Sequence, residues 1–206
     1  AGDISVIRRE IMETVDPIMI YKTLYLSCLV SNGEFSTIFV SLAAVPSEFY
    51  AVQAMATGML ARIRYFDGAE LGDVTPDGIG IGRGLAYKLN SQLGSSLVLL
   101  VPTIHGQINT KDARVIQFSD TTQELLDDKL VLMPMSLAQD LLMYDGALRV
   151  HVLLKNEKEL NSIQQRLSSR LDKIGLNVSV FTWRDISPFY NKVESMFHVI
   201  FSFIFL

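Results

Sequence analysis

Apolar positions along the chain change their period several times, and each change marks an element. Ile4, Ile7, Ile11 and Val15 recur at helical spacing behind Asp3 as a cap, and Asp16-Pro17 ends the segment, which predicts a short amphipathic helix. Two β-rich runs follow, Ile18 to Val30 and Phe35 to Val45, separated by Ser31-Asn32-Gly33-Glu34. Asn-Gly between such runs is a strong hairpin signal and predicts positive φ at both central residues. Pro46-Ser47-Glu48 opens a short helix expected to run through Ala56.

From Thr75 the texture differs. Gly78, Gly80, Gly82 and Gly84 alternate ahead of a helical pattern at Leu85, Ala86 and Leu89, which stops before Gly94. Strands are predicted at Leu97 to Val101, Ala113 to Phe118 and Lys129 to Met133. A helix from Leu137 to Tyr144 is predicted with Ser136 as its cap and Asp145-Gly146 as its stop. In the last third Leu148, Val150, Val152 and Leu154 alternate as a strand, and Leu160, Ile163, Leu167, Leu171 and Ile174 make one helix face. Asn156 with Glu159 resembles a capping box, and Arg166, Arg170 and Lys173 lie toward the negative helix end before Gly175. Asn177 to Trp183 completes a predicted β-α-β unit.

Two strands and one helix are too little for a core, so this unit is expected to recruit the early hairpin across the residues between them. The expected fold class is α+β. A porter-like α/β subdomain made of residues 1–74 and 146–190 would carry an inserted β-rich subdomain, residues 75–145, with 191–206 entering a transmembrane helix. The last inference rests on Met196 to Leu206, MFHVIFSFIFL, which has no formal charge and only His198 and Ser202 as a polar stripe. A spanning helix needs about 20 apolar residues, so this stretch reads either as the first turns of a membrane helix or as a buried C-terminal helix. The N-terminus lacks a basic segment followed by an apolar run, so no secretory signal peptide is expected in this chain.

Composition narrows the function. With 206 residues, one large domain or two small ones fit, and a domain near this size buries roughly 70% of its unfolded surface. The net charge is −4 and the 18 Lys and Arg are scattered, so nucleic acid is not an expected partner. The one cysteine, Cys28, excludes an internal disulfide and reads as a buried thiol. His105, His151 and His198 are too far apart for a metal signature, and neither metal nor cofactor is expected.

The run Gly78-Ile79-Gly80-Ile81-Gly82-Arg83-Gly84 invites a nucleotide-binding reading, but its spacing matches neither G-x-G-x-x-G nor a Walker A loop, and the chain has no Gly-Lys pair. A structural strand-to-helix turn is the better reading. His105, Asp112, Asp127 and Asp128 can be imagined as an acid-base cluster, although paired aspartates between strands commonly form a solvated turn. Trp183-Arg184-Asp185 reads either as a binding patch or as a strand-ending Trp packed in the core. No G-x-S-x-G elbow is present, and no nucleophile, base and orienter can be assembled, so the chain is not expected to be an enzyme.

An ordered series of short motifs resembles the extracytoplasmic (periplasmic) domain of MacB-like and LolC/LolE-like (FtsX-like) ABC-transporter permeases. Ala44-Val45-Pro46-Ser47-Glu48-Phe49 resembles that family's valine-proline element before a short helix. Ile81-Gly82-Arg83-Gly84-Leu85-Ala86-Tyr87-Lys88-Leu89 resembles its Ile-Gly and Leu-Ala helix, with Gly94-Ser95-Ser96 where the family has Gly-Asp. Asp127, Pro134 and Leu137-Ala138-Gln139 resemble its turn, strand and helix, ahead of the β-α-β unit, Trp183 and Pro188. Together these span about Val45 to Leu206.

The resemblance implies an inner-membrane permease with this domain on the extracytoplasmic side, moving in response to ATP hydrolysis by a separate cytoplasmic ABC ATPase subunit. It also implies a second permease subunit and a periplasmic carrier or adaptor as partners, in lipoprotein release or export-type transport. The alternative is a ligand-binding sensor ectodomain between two membrane helices, which would need an apolar pocket with convergent polar groups. The candidate partner-binding residues are Ile104, His105, Gln107, Ile108 and Asn109, in a long segment from Pro102 to Asp112 between two predicted strands. Their isoleucines read either as exposed anchors or as side chains folded back onto the sheet.

Overall fold

The computed structural model describes residues 4–55, 64–72, 75–121, 123–156, 159–187, 192–193 and 196–197. By internal contacts the chain divides into one unit of Ala1–Met19 with Val152–Leu206 and another of Ile20–His151. Strands β1 (Pro17–Ser31) and β8 (Arg149–Leu154) each carry the chain from one unit into the other. This differs from the expected division. The early hairpin belongs with the middle region, because β1 pairs with β5 (Ser96–Pro102) and β2 (Ser36–Ala44) pairs with β7 (Leu130–Pro134). Backbone groups of a strand must be paired somewhere, and here the middle strands supply the partners.

In the larger unit β1 and β2 form the antiparallel hairpin from Thr23↔Ala44 to Ser31↔Ser36. Its turn is four residues, Asn32 to Phe35, and not the two-residue form. Gly33 takes φ +93° while Asn32 stays at negative φ and accepts from the amides of Glu34 and Phe35 through Oδ1. The asparagine side chain thus supplies what a second left-handed residue would have supplied. β2 runs parallel to β7, β7 antiparallel to β4 (Gly78–Gly82), and β4 parallel to β6 (Ile108–Asp120). β6 and β5 are antiparallel, and β5 returns to β1. These pairings close a ring of six strands, with β3 (Arg64–Gly68) added beside β6 and β8 beside β1. Closure removes the free edges that an open sheet would present.

Side chains alternate across that wall. Leu24, Leu26 and Val30, Phe39 and Ala43, Ile79 and Ile81, Leu97, Leu99 and Val101, Ala113 and Val115, and Val131 and Met133 fill one interior cluster. Helix α3 (Arg83–Lys88) adds Leu85 and Ala86, with Leu89 following, and α5 (Met135–Leu142) adds Leu137, Ala138 and Leu141. Outside the wall α2 (Pro46–Met55) lays Phe49 and Tyr50 over Leu130 and Leu132, and Tyr50 Oη accepts the Leu71 amide at 2.8 Å. The α5 helix begins two residues earlier than its pattern predicts and is capped by Met143, which takes φ +53°. There the amides of Met143 and Tyr144 return to the Asp140 and Gln139 carbonyls, so the helix is closed before Asp145-Gly146 is reached.

The smaller unit pairs α1 (Ile4–Thr14) with α6 (Leu160–Lys173) through Ile11, Leu167 and Leu171. Gly175 at φ +76° ends α6 as expected, with the Leu176 amide reaching back to the Leu171 carbonyl. Glu159 occupies the cap position of α6 without a side-chain cap bond, and residues 157–158 of the expected capping box lie outside the described residues. Nor does Asn177 to Trp183 form a strand, since residues 176–182 run without a ladder partner among the described residues. The β-α-β reading therefore loses its second strand. Asp3 and Ala56 lie outside the described residues, as does nearly all of 191–206. Among the described residues no helix is long and apolar enough to cross a membrane.

Candidate functional site: the tip of the β5–β6 hairpin

Strands β5 and β6 pair from Ser96↔Arg114 out to Pro102↔Ile108, so the ladder extends well beyond the strand predicted to begin at Ala113. The segment between them is a five-residue turn, Thr103 to Gln107, and not an eleven-residue loop. Thr103 organises it. Its amide donates to the Gln107 carbonyl at 2.7 Å, its carbonyl accepts the Gly106 amide, and its hydroxyl accepts the amides of His105 and Gln107. Thr103 is buried and Gly106 takes φ +79°, so the turn closes tightly under a threonine anchor.

Of the five candidate residues, four stand in solvent. Ile104 is 57% and Ile108 75% exposed, which removes the reading in which they fold back onto the sheet. His105 and Gln107 are exposed beside them. Asn109 has a different role: its Nδ2 donates to the carbonyls of Asp140 and Leu141, both at 2.9 Å, so it caps the C-terminus of α5. Lys111 adds an ion pair to Asp140 at 3.3 Å. The tip is thus a short apolar projection, with its base tied to a helix packed in the ring's core.

The other sequence candidates resolve into structure. A Cβ on Gly82 would sit 2.1 Å from the Asp127 carbonyl, and one on Gly84 2.0 Å from Asp128 Oδ1. The glycine run is therefore the place where the α4 turn (α4, Glu124–Asp127) presses against β4 and α3. Asp127 accepts from the Thr121 amide and hydroxyl, and Asp128 pairs with Lys88 at 2.8 Å. Both aspartates are thus engaged around the α4 turn, while His105 stands at the hairpin tip; the imagined acid-base cluster is not assembled. Arg184 lies 5.2 Å over the half-buried Trp183 ring. Among the described residues no group of three His, Cys, Asp or Glu could hold a metal ion.

Two features escaped the sequence pattern. Tyr25, Leu29, Ile38 and Val40 are exposed on the outer wall of the hairpin, with Leu29 directly opposite Ile38. Both faces of β1 and β2 are apolar in sequence, so periodicity carries no sign of which face is open. The second is His151, which stacks on Tyr21 at 4.5 Å and shares a 2.8 Å hydrogen bond between Nε2 and Thr23 Oγ1. Burial, reinforced by Arg149, lowers its pKa, and burial with the nearby Tyr25 raises that of Tyr21. In the smaller unit a hollow of about 280 Å³ is lined by Thr14, Asp16, Leu154, Lys155, Glu159 and Arg166 among others. Its lining mixes these polar and charged groups with the apolar side chains of Val15, Leu154 and Ile163.

No protein-family model matches the chain, and no curated protein matches it in sequence. Solved structures do. The extracellular domain of the noncanonic ABC-type transporter YknZ from Gram-positive bacteria superposes with a TM-score of 0.60 at 16% identity, over 84% of this chain and 88% of that one. The periplasmic region of MacB from Actinobacillus actinomycetemcomitans gives 0.56 at 13% identity, over 83% and 73%. The chain therefore has the α+β fold of the extracytoplasmic domains of ABC-type transporters. At such identities the likeness is one of fold.

Proposed function

We propose that this chain is the extracytoplasmic domain of an ABC-transporter permease of the MacB and LolC/LolE type, a partner-binding and moving part with no catalytic role of its own. The observation that carries the reading is the likeness to the YknZ domain over most of both chains. In this reading the full-length protein sits in the inner membrane with a second permease subunit and a cytoplasmic ATPase, and the hairpin tip meets a periplasmic carrier or adaptor. Two exposed isoleucines on a turn anchored by Thr103 and Asn109 fit such a contact, because burying an apolar anchor held in a fixed conformation gains affinity at little ordering cost.

The test uses the full-length protein. It should co-purify with an ATP-binding cassette subunit, and the Ile104→Ser, Ile108→Ser double variant should keep that subunit and its melting temperature while losing carrier binding or transport. Exposed substitutions of this kind change stability by about 0.5 kcal/mol or less. Failure to recover any ATPase subunit would overturn the transporter reading. Intact transport by the double variant would move the partner surface away from the tip.

A further inference from the structure

The hollow of about 280 Å³ beside α6 is lined wholly from the unit of the chain ends, by the residues that follow α1, the end of β8 and one face of α6. Val15, Leu154 and Ile163 are half-buried and give it an apolar wall. Asp16, Lys155, Glu159 and Arg166 stand exposed around that wall. A small-molecule site of this type needs apolar area for contact and a few polar groups to fix orientation.

The four charges are not equivalent. Lys155 Nζ is paired with Asp16 Oδ2, so those two neutralise each other. Glu159 and Arg166 make no side-chain hydrogen bond or ion pair among the described residues. With Ile163 they fall at i, i+4 and i+7, on one face of α6, so an apolar side chain lies between a carboxylate and a guanidinium. Seven residues of helix set their backbones roughly 10 Å apart along the axis, beyond the i+4 spacing at which helical ion pairs form. The Thr14 hydroxyl donates its proton to the Glu10 carbonyl at 2.7 Å, which leaves its oxygen in the hollow as an acceptor only.

These charges define the complement. A simple anion would satisfy Arg166 but face Glu159, and a simple cation would do the reverse. A molecule carrying both charges satisfies both, provided that they are separated by an apolar stretch. An α-amino acid has its two charges on one carbon and cannot reach both groups. We propose that the hollow binds a small zwitterion of the ω-amino acid class, an ammonium and a carboxylate joined by an aliphatic chain. The ammonium pairs with Glu159, the carboxylate takes paired N–H bonds from Arg166, and the methylenes lie along Ile163 and Leu154. The site is separate from the hairpin tip and does not rest on the transporter reading, so recovery or loss of an ATPase subunit leaves it untouched.

Titration of the chain with 6-aminohexanoate, followed by amide chemical shifts, tests the site. Saturable shifts are expected at Thr14, Val15, Leu154 and Ile163, with the ring strands unaffected. Hexylamine and hexanoate, which each lack one charge, and leucine, which has both on one carbon, should bind about tenfold more weakly or less tightly still, since each loses a charge-assisted contact. The variants give a sharper result. In Arg166→Gln, 6-aminohexanoate should bind no better than hexylamine, because its carboxylate has lost its partner; in Glu159→Gln it should bind no better than hexanoate. Both positions are exposed, so the melting temperature should be unchanged. Absence of saturable shifts in the hollow overturns the proposal. Equal binding of all four compounds does so as well, and so does a tenfold preference for 6-aminohexanoate that survives both substitutions.

Discussion

The two units of the chain are held by different physics. In Ile20–His151 the interior is apolar and closed, and Phe39, Ile79, Ile81, Leu97, Leu99 and Val115 have no solvent exposure at all. In the unit of the chain ends the apolar contact between α1 and α6 is narrow, and a carboxylate, Glu10, is buried within it. Arg170 answers that charge with Nε at 2.9 Å from Glu10 Oε2 and bridges to Glu13 as well. One unit rests on area removed from water alone, whereas the other, besides its narrow apolar contact, must keep a buried carboxylate paired.

The largest effect should come from hollowing the ring. Leu99→Ala or Phe39→Ala should cost about 3–5 kcal/mol, read as a fall in the urea midpoint of the whole transition, because a closed wall cannot collapse into the cavity. A midpoint unchanged within error would mean that the interior is loosely packed, and the contrast would fail. Next comes Arg170→Met, which leaves Glu10 buried without its partner. Loosening confined to α1 and α6 is expected, seen as faster hydrogen exchange there with the ring amides unaffected. Glu10→Gln in the same background should restore part of the protection, since an amide costs less to bury than a charge.

The smallest effect is pH-dependent and belongs to the larger unit. His151 has its pKa lowered from 6.5, so the folded chain binds its proton less readily than the unfolded chain. Stability should be level above about pH 6.5 and fall as the pH drops below it, until the folded-state value is passed. His151→Gln should flatten that slope below about pH 6.5. A slope that survives the substitution would assign it to carboxylates.

Much of this was legible along the chain, and the reason is local. The β1–β2 hairpin, the glycine stop of α6 and the strand-helix alternation through the middle region follow from turn chemistry and side-chain period, which act over a few residues. The hairpin tip was found by the same means, as isolated isoleucines among polar residues, although its length was overestimated because Asn109 to Asp112 are polar. They are strand all the same, since β5 lends them a ladder and α5 lends Asn109 two carbonyls.

What the chain could not show by itself is which strands share a wall. Residues 75–145 look like an insertion in sequence, yet they provide the neighbours of β1 and β2, because ring closure depends on contacts between residues far apart. The opposite error occurred at Asn177 to Trp183, where alternation and β-branching predict a strand and no ladder partner lies within the described chain. Local preference sets a segment's conformation, but pairing requires a second backbone at the right place. Only the tertiary structure decides where that backbone is, because a hydrogen-bond ladder is a property of two segments and never of one.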